Sequence, residues 1–239
     1  MLDPAQTVAE RLKIVQSRIT EAASQSGRSA SDIQLLAVSK TKPLIDILQA
    51  YRAGQIDFGE NYLQEALQKQ EELALLQNEA QAARNICWHF IGPIQSNKTR
   101  AVAENFSWVH SVDRLKIAQR LSQQRDEQQP ELNICLQVNL DNEESKSGFS
   151  PQELPQQAIE ISKLPKLRVR GLMAIPKPRQ EYSEQLQSLQ RLQQLQDELN
   201  KAGLSLDTLS MGMSQDLAAA VAAGSTMLRV GSDIFGPRN

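Results

Sequence analysis

Three features of the sequence predict a (β/α)8 TIM barrel with an extra N-terminal helix, a closed form of the α/β class. Eight apolar runs of strand length alternate with helix-like segments over 239 residues, close to the roughly 250 typical of one such barrel. The first run, Ile33 to Val38, is apolar almost throughout, as a parallel strand covered on both faces should be. Aromatic residues make up only 4% of the chain, so the core rests on Leu, Ile, Val and Ala, which suits a helix-rich α/β protein better than a β-sandwich. Alternating strands and helices imply right-handed crossovers, and closure removes both sheet edges. An open doubly wound sheet is the runner-up, but the first strand-to-helix turn, Ser39 to Pro43, has no Gly-x-Gly-x-x-Gly phosphate turn. With no Gly/Ser linker or composition break, residues 1–239 read as a single domain.

Each element has a local reason. Val8, Leu12, Val15 and Ile19 fall at helical spacing with charges between them, giving a leading amphipathic helix over 4–25 that ends near Gly27. The first strand is followed by Pro43, suited to the first turn of a helix that closes at Gly54. Ile56–Asn61 is a second strand, residues 62–83 a polar-faced helix, and Ile86–Gly92 a third strand stopped by Gly92-Pro93. A helix at 95–105 leads to a fourth strand, Trp108–Val112, capped by Asp113, and then to a helix from 114 to about 127. Ile134–Leu140 is the fifth strand; a polar loop to Phe149 and a helix at 151–162 follow. Val169–Ile175 is the sixth strand. The helix at 180–202 carries Leu186, Leu189, Leu192 and Leu195 on one stripe, read as core packing because only about three heptads are present. Thr208–Met213 and Thr226–Ser232 are the last two strands, with Ser214 capping an alanine-rich helix between them.

Charge and composition narrow the function. A net charge of −2 and a pI near 5.8 provide no broad basic field for nucleic acid or an anionic membrane. No segment approaches the ~18 apolar residues of a membrane span, and the N-terminus lacks a charged stretch followed by an apolar one, so a cytoplasmic protein is expected. Cys87 and Cys135 lie in apolar runs and read as reduced core thiols.

The first strand ends in a lysine. Side chains alternate along a strand, so Leu36, Val38 and Lys40 leave one face. Lys40 has two readings: a solvated loop charge, the usual fate of Lys, or a partly desolvated amine able to form a Schiff base at the carboxyl end of the sheet. Lys42 competes but lies beyond the strand, beside Pro43. In a TIM barrel the loops after strands seven and eight often hold a phosphate. Here they contain Ser210-Met211-Gly212-Met213-Ser214 and Gly231-Ser232, hydroxyls and glycines that let backbone N–H groups approach an anion. Any one of these serines alone would be an ordinary helix cap; their pairing across adjacent loops favours the anion. Arg229 stands inside an apolar strand and needs acceptors there. An amine, an anion site and an inward arginine together suggest an aldehyde bearing a phosphate. Pyridoxal 5′-phosphate (PLP) fits, as a covalent imine with Lys40, with Arg229 donating to the pyridine nitrogen.

Several long motifs carry a resemblance. Ala-Val-Ser-Lys-Thr-Lys-Pro (37–43), Phe-Gly-Glu-Asn-Tyr (58–62), Trp-His-Phe-Ile-Gly-Pro-Ile-Gln-Ser-Asn-Lys (88–98) and His-Ser-Val-Asp (110–113) occur in that order. They are followed by Gly-Leu-Met-Ala-Ile (171–175), Leu-Ser-Met-Gly-Met-Ser-Gln-Asp (209–216) and Leu-Arg-Val-Gly-Ser-Asp-Ile-Phe-Gly (228–236). From end to end the chain resembles the pyridoxal phosphate homeostasis proteins. The resemblance implies a single PLP-binding TIM barrel similar to the N-terminal domain of alanine racemase, a role in vitamin B6 and amino-acid homeostasis, and no established catalysis. Residue by residue it makes Lys40 the Schiff-base lysine, Arg229 the partner of the pyridine nitrogen, and Ser210, Ser214, Gly231 and Ser232 the phosphate cradle. Asn61, His89 and Met211 would lie beside the cofactor; no catalytic residue and no metal is implied.

An arginine at the pyridine nitrogen disfavours a pyridinium and makes the ring a poorer electron sink, which argues against decarboxylase or transaminase chemistry. A racemase needs a second acid/base, supplied in the alanine racemase family by a C-terminal β-domain, and a chain read as a single barrel over 1–239 is expected to lack it. The expectation is therefore a monomeric carrier or buffer of PLP, with apo PLP-enzymes or a regulatory protein as partners. The alternatives are a weak PLP enzyme acting on amino acids and a PLP-responsive regulator.

Overall fold

The computed structural model describes residues 6–76, 83–143 and 146–237. Eight parallel strands close into a barrel in sequence order: β1 (Gln34–Val38), β2 (Asp57–Glu60), β3 (Cys87–Phe90), β4 (Trp108–Val112), β5 (Leu132–Gln137), β6 (Leu167–Met173), β7 (Thr208–Ser210) and β8 (Met227–Val230). β8 returns to pair with β1, Leu36 opposite Arg229. The helix α1 (Val8–Gln25) precedes β1. The strands are followed in turn by α2 (Leu44–Arg52), α3 (Leu63–Leu75), α4 (Thr99–Asn105), α5 (Leu115–Gln124), α6 (Leu154–Ile161), α7 (Tyr182–Lys201), α8 (Leu217–Ala222) and the short α9 (Ser232–Phe235). This is the predicted TIM barrel with its leading helix. None of the described helices is long and apolar enough to cross a membrane.

α1 starts in a capping box, in which the Thr7 side chain accepts from the Glu10 N–H while the Glu10 carboxylate accepts from the Thr7 N–H. Its stripe of Val8, Leu12, Val15 and Ile19 is buried, and the helix packs against α2, α8 and α9, across the seam where the barrel closes. The apolar residues form two layers. Leu35 and Ala37 of β1 face outward into the large cluster shared with the helices, while Leu36 joins Trp108, Cys135, Met173 and Met227 inside the barrel. Full burial of a residue such as Leu36 contributes roughly 1.5–3 kcal/mol.

Boundaries differ from the sequence reading at helix starts. Pro43 occupies the N-cap of α2 with an extended ψ of 159°, one position before the first turn. α8 begins at Leu217, so Ser214 lies in the loop and the capping position belongs to Asp216, whose carboxylate accepts from the Met213 N–H at 2.6 Å. The helix expected from 151 begins at Leu154, after a turn. β5 ends at Gln137, and Val138 continues its path through an isolated bridge to Phe149. The end of the helix predicted to reach 83, and Glu144 and Ser145 of the polar loop, lie outside the described residues.

Candidate functional site

A cavity of about 580 Å³ opens at the C-terminal mouth of the barrel. Such volumes suit a small-molecule site. Its wall brings together Lys40, Asn61, Ser214, Arg229, Gly231 and Ser232. These six come from the ends of four strands, β1, β2, β7 and β8, and the barrel alone makes them neighbours.

Lys40 arrives there by strand alternation: Leu36 is inside the barrel, and Val38 and Lys40 line the cavity above it. Its turn is unusual. Thr41 has a φ of 64°, a left-handed conformation that costs a β-branched residue of order 1–3 kcal/mol and persists only when neighbours impose it. The neighbours are a buried ionic cluster behind the turn. Lys69 of α3 donates to the Ser39 carbonyl at 2.9 Å, to Glu60 at 2.7 Å and to Glu65 at 2.5 Å. Ser39 Oγ donates to Glu60 at 2.7 Å, and the Thr41 N–H donates to Glu65 at 2.6 Å. Burial raises the Glu60 carboxyl above its usual range, although Lys69 and Ser39 oppose the shift.

Arg229 enters from β8 at the level of Leu36 and is only 5% exposed. Its Nη1 donates to the Ser210 carbonyl and to Ser210 Oγ (2.8 Å), and its Nη2 donates to the Ala174 carbonyl at 3.0 Å. All three acceptors are neutral. Burial lowers the guanidinium to about 10, so it stays cationic at neutral pH. The acids on the cavity wall, by contrast, have cationic partners at short range: Asp113 with Arg114 (2.7 Å), Asp141 with Arg179 (3.0 Å) and Glu143 with Lys146 (2.7 Å).

Gly231 and Ser232 stand where β8 meets α9. A Cβ at Gly231 would lie 3.0 Å from the Val38 carbonyl and 3.2 Å from Val38 Cβ, so the absent side chain lets the ends of β1 and β8 approach. Ser214 is held from outside: Arg18 of α1 donates to the Ser214 carbonyl at 2.7 Å and to Asp233 of α9 at 2.5 Å, tying the two loops together. Asn61 is placed by a similar approach, since a Cβ at Gly92 would fall 2.0 Å from the Asn61 carbonyl.

Three expected neighbours do not reach the cavity wall. Met211 follows Ser210 by one residue and so turns outward, fully buried in the strand–helix layer. Ser210 faces inward but one level down, where its hydroxyl is engaged by Arg229 at 2.8 Å and by His110 Nδ1 at 2.7 Å rather than lining the cavity. His89 lies deeper still, with no exposed surface, between Asp57 at 3.0 Å and His110 at 3.0 Å. Depth along the axis separates Ser210 and His89 from the mouth, whereas facing separates Met211. Conversely, the cavity includes Gln137, Asn139, Asp141 and Ile175, which were not singled out; their position at the carboxyl ends of the fifth and sixth strands was the available signal. Asn139 organises the loop after β5, donating to the Glu143 and Lys146 carbonyls at 2.9 and 3.2 Å and accepting from the Glu143 N–H at 3.1 Å.

Comparison with known proteins gives a consistent result. Residues 14–239 match the family described as alanine racemase, N-terminal domain. A Pseudomonas aeruginosa protein named pyridoxal phosphate homeostasis protein is 56% identical over 233 residues, covering 98% of this chain and 96% of that one. The Escherichia coli protein of the same name is 47% identical, with 97% of each chain covered. Among solved structures, PipY of Synechococcus elongatus with PLP bound superposes at a TM-score of 0.81 with 36% identity, over 96% of this chain and 100% of that one. An alanine racemase from Clostridium difficile, at 14% identity and a TM-score of 0.69 over 95% of this chain and 56% of that one, shares the fold.

Proposed function

Because the chain belongs to the alanine racemase N-terminal domain family, and within it to the pyridoxal phosphate homeostasis proteins, we propose that it binds PLP and carries, buffers or delivers it. The observation that carries this reading is the meeting of Lys40, Arg229 and the Ser214 and Gly231–Ser232 loops around one cavity. The residues fit the group. Bound PLP supplies an aldehyde that condenses reversibly with an amine. Lys40 is the amine that holds it, as an imine; the N–H groups and hydroxyls at Ser214 and Gly231–Ser232 receive the phosphate. Arg229, which lines the cavity and spends three of its five N–H groups on the wall, donates to the pyridine nitrogen. Asn61 borders the ring.

A cation at the pyridine nitrogen disfavours ring protonation, and this supports a binding role over carbanion chemistry. Reversible attachment at Lys40 suits a protein that releases its ligand to apo PLP-enzymes in the cytoplasm. The test is the absorbance of the imine together with borohydride reduction. Lys40→Ala should abolish the fixable adduct, and loaded wild-type protein should transfer PLP to an apo-enzyme faster than passive release at equal free PLP. A missing adduct, or one that survives Lys40→Ala, refutes the binding mode. Steady turnover of an amino acid that disappears with Lys40→Ala would replace the carrier with an enzyme.

A further inference from the structure

Below the cavity a line of buried polar side chains runs along the barrel axis from Arg229 to the opposite end. Arg229 Nη1 is 2.8 Å from Ser210 Oγ, Ser210 Oγ 2.7 Å from His110 Nδ1, His110 Nε2 3.0 Å from His89 Nδ1, and His89 Nε2 3.0 Å from Asp57 Oδ1. Both rings are fully buried, and burial lowers both below the usual histidine range, so both are neutral. Each link then dictates the next. The Asp57 carboxylate only accepts, so His89 carries its proton on Nε2 and accepts on Nδ1. His110 must therefore donate from Nε2 and accept on Nδ1, and Ser210 must give its one proton to His110. Working from the other end, an arginine can only donate, so Ser210 Oγ is the acceptor there too. The two lines of deduction agree on a single polarity.

We propose that Asp57, His89, His110 and Ser210 are positioning residues for Arg229, a one-way hydrogen-bond chain that turns one edge of the guanidinium to the barrel wall and leaves the other for the cofactor. This rests on the PLP reading above. The chain resists inversion, because reversing it would aim two donors at Ser210 Oγ and leave the carboxylate facing a bare nitrogen. Packing fixes the ring planes as well: His89 stacks on Trp108, centroids 5.5 Å apart and 10° from parallel, and the Arg170 guanidinium lies over the Trp108 ring, 4.8 Å from its centroid. The burial of Asp57 tends to raise its carboxyl, but its hydrogen bond to His89 and contacts with Gln34 and Cys87 hold it below the usual range, so the acceptor end stays ionised.

The chain contains only two histidines, so nitrogen NMR on histidine-labelled protein reads the proposal directly. In the PLP-free protein both rings should be neutral and Nε2-protonated at neutral pH, each gaining its second proton only at lower pH than a free histidine does. Loading with PLP should shift His110 more than His89. Ser210→Ala should release His110 to a mixture of tautomers and weaken PLP binding about tenfold, the loss expected of one buried hydrogen bond to a charged group, with Ser210→Thr restoring both. An Nδ1-protonated or cationic ring in the wild-type protein overturns the chain. Zinc held by Asp57, Cys87 and His89, whose ligand atoms lie within 4.8 Å of one another, would produce such a result. Ser210→Ala binding PLP as tightly as wild type overturns the positioning role. Failure of the wild type to bind PLP, with both tautomers as assigned, would instead remove the cofactor reading.

Discussion

Replacing Lys69 by Met tests the clamp behind Lys40 most severely. The ammonium and the Glu60 carboxylate form an ion pair of 2.7 Å in which the side chains are 6% and 0% exposed. Removing one partner of such a pair typically costs about 3–5 kcal/mol, because the other is left charged without compensation. Glu60 can limit the loss by taking a proton. From an ordinary value of 4.5, neutralising it at pH 7 costs about 3.4 kcal/mol, and at pH 5 only about 0.7, at 1.36 kcal/mol per pH unit. The sign follows from linkage. A carboxyl raised in the folded state binds more protons there than in the unfolded chain, so stability falls as pH climbs through the raised value. Lys69→Met extends that fall to higher pH. Lost bonds to the Ser39 carbonyl and to Glu65 add about 1 kcal/mol that does not depend on the Glu60 proton. Urea unfolding should therefore show a deficit of about 4 kcal/mol at pH 7 that shrinks by more than about 2 kcal/mol at pH 5. The Glu60→Gln/Lys69→Met double variant should recover most of the loss at pH 7. A deficit of the same size at both pH values, or one below about 0.5 kcal/mol, would show that the pair does not hold the turn as argued.

Three further outcomes follow from the geometry. Arg18→Ala removes the tie between Ser214 and Asp233; being partly exposed, it should lower stability by only about 1 kcal/mol in calorimetry, while PLP retention on dilution drops several-fold. Unchanged retention would separate α1 from the phosphate loops. Gly231→Ala pushes a methyl against Val38 and should cost about 1–3 kcal/mol in urea unfolding, accompanied by weaker PLP binding in fluorescence titration. Burial raises the Cys87 and Cys135 thiols to about 12, leaving a thiolate fraction near 10⁻⁴ at pH 8, so a disulfide reagent should label them only after unfolding. Rapid labelling of either cysteine in the native protein would contradict that environment.

Much of the site follows from local chemistry. Strand alternation alone carries Leu36 to the interior and Lys40 to the mouth, and the same rule sends Arg229 inward and Met211 outward. Met211 was placed at the cofactor by resemblance of a motif, and alternation would have turned it away. Helix starts were less legible, since the Asp216 and Ser214 positions offer equally good local caps and the loop's own hydrogen bonds decide between them.

By itself the sequence determined the barrel, because apolar runs of strand length between amphipathic helices are local patterns and leave few ways to bury both. It also determined which strand ends carry an amine, a guanidinium and small hydroxyl-bearing loops. Only the tertiary structure decided depth. Whether an inward side chain stands at the mouth or a level below depends on the register of each strand against its neighbours, and on the bulges where β4 meets β5 and β5 meets β6. That stagger puts Ser210 and His89 under the cavity rather than in it. It also joins Asp57, His89, His110, Ser210 and Arg229, on five strands, into one line of hydrogen bonds.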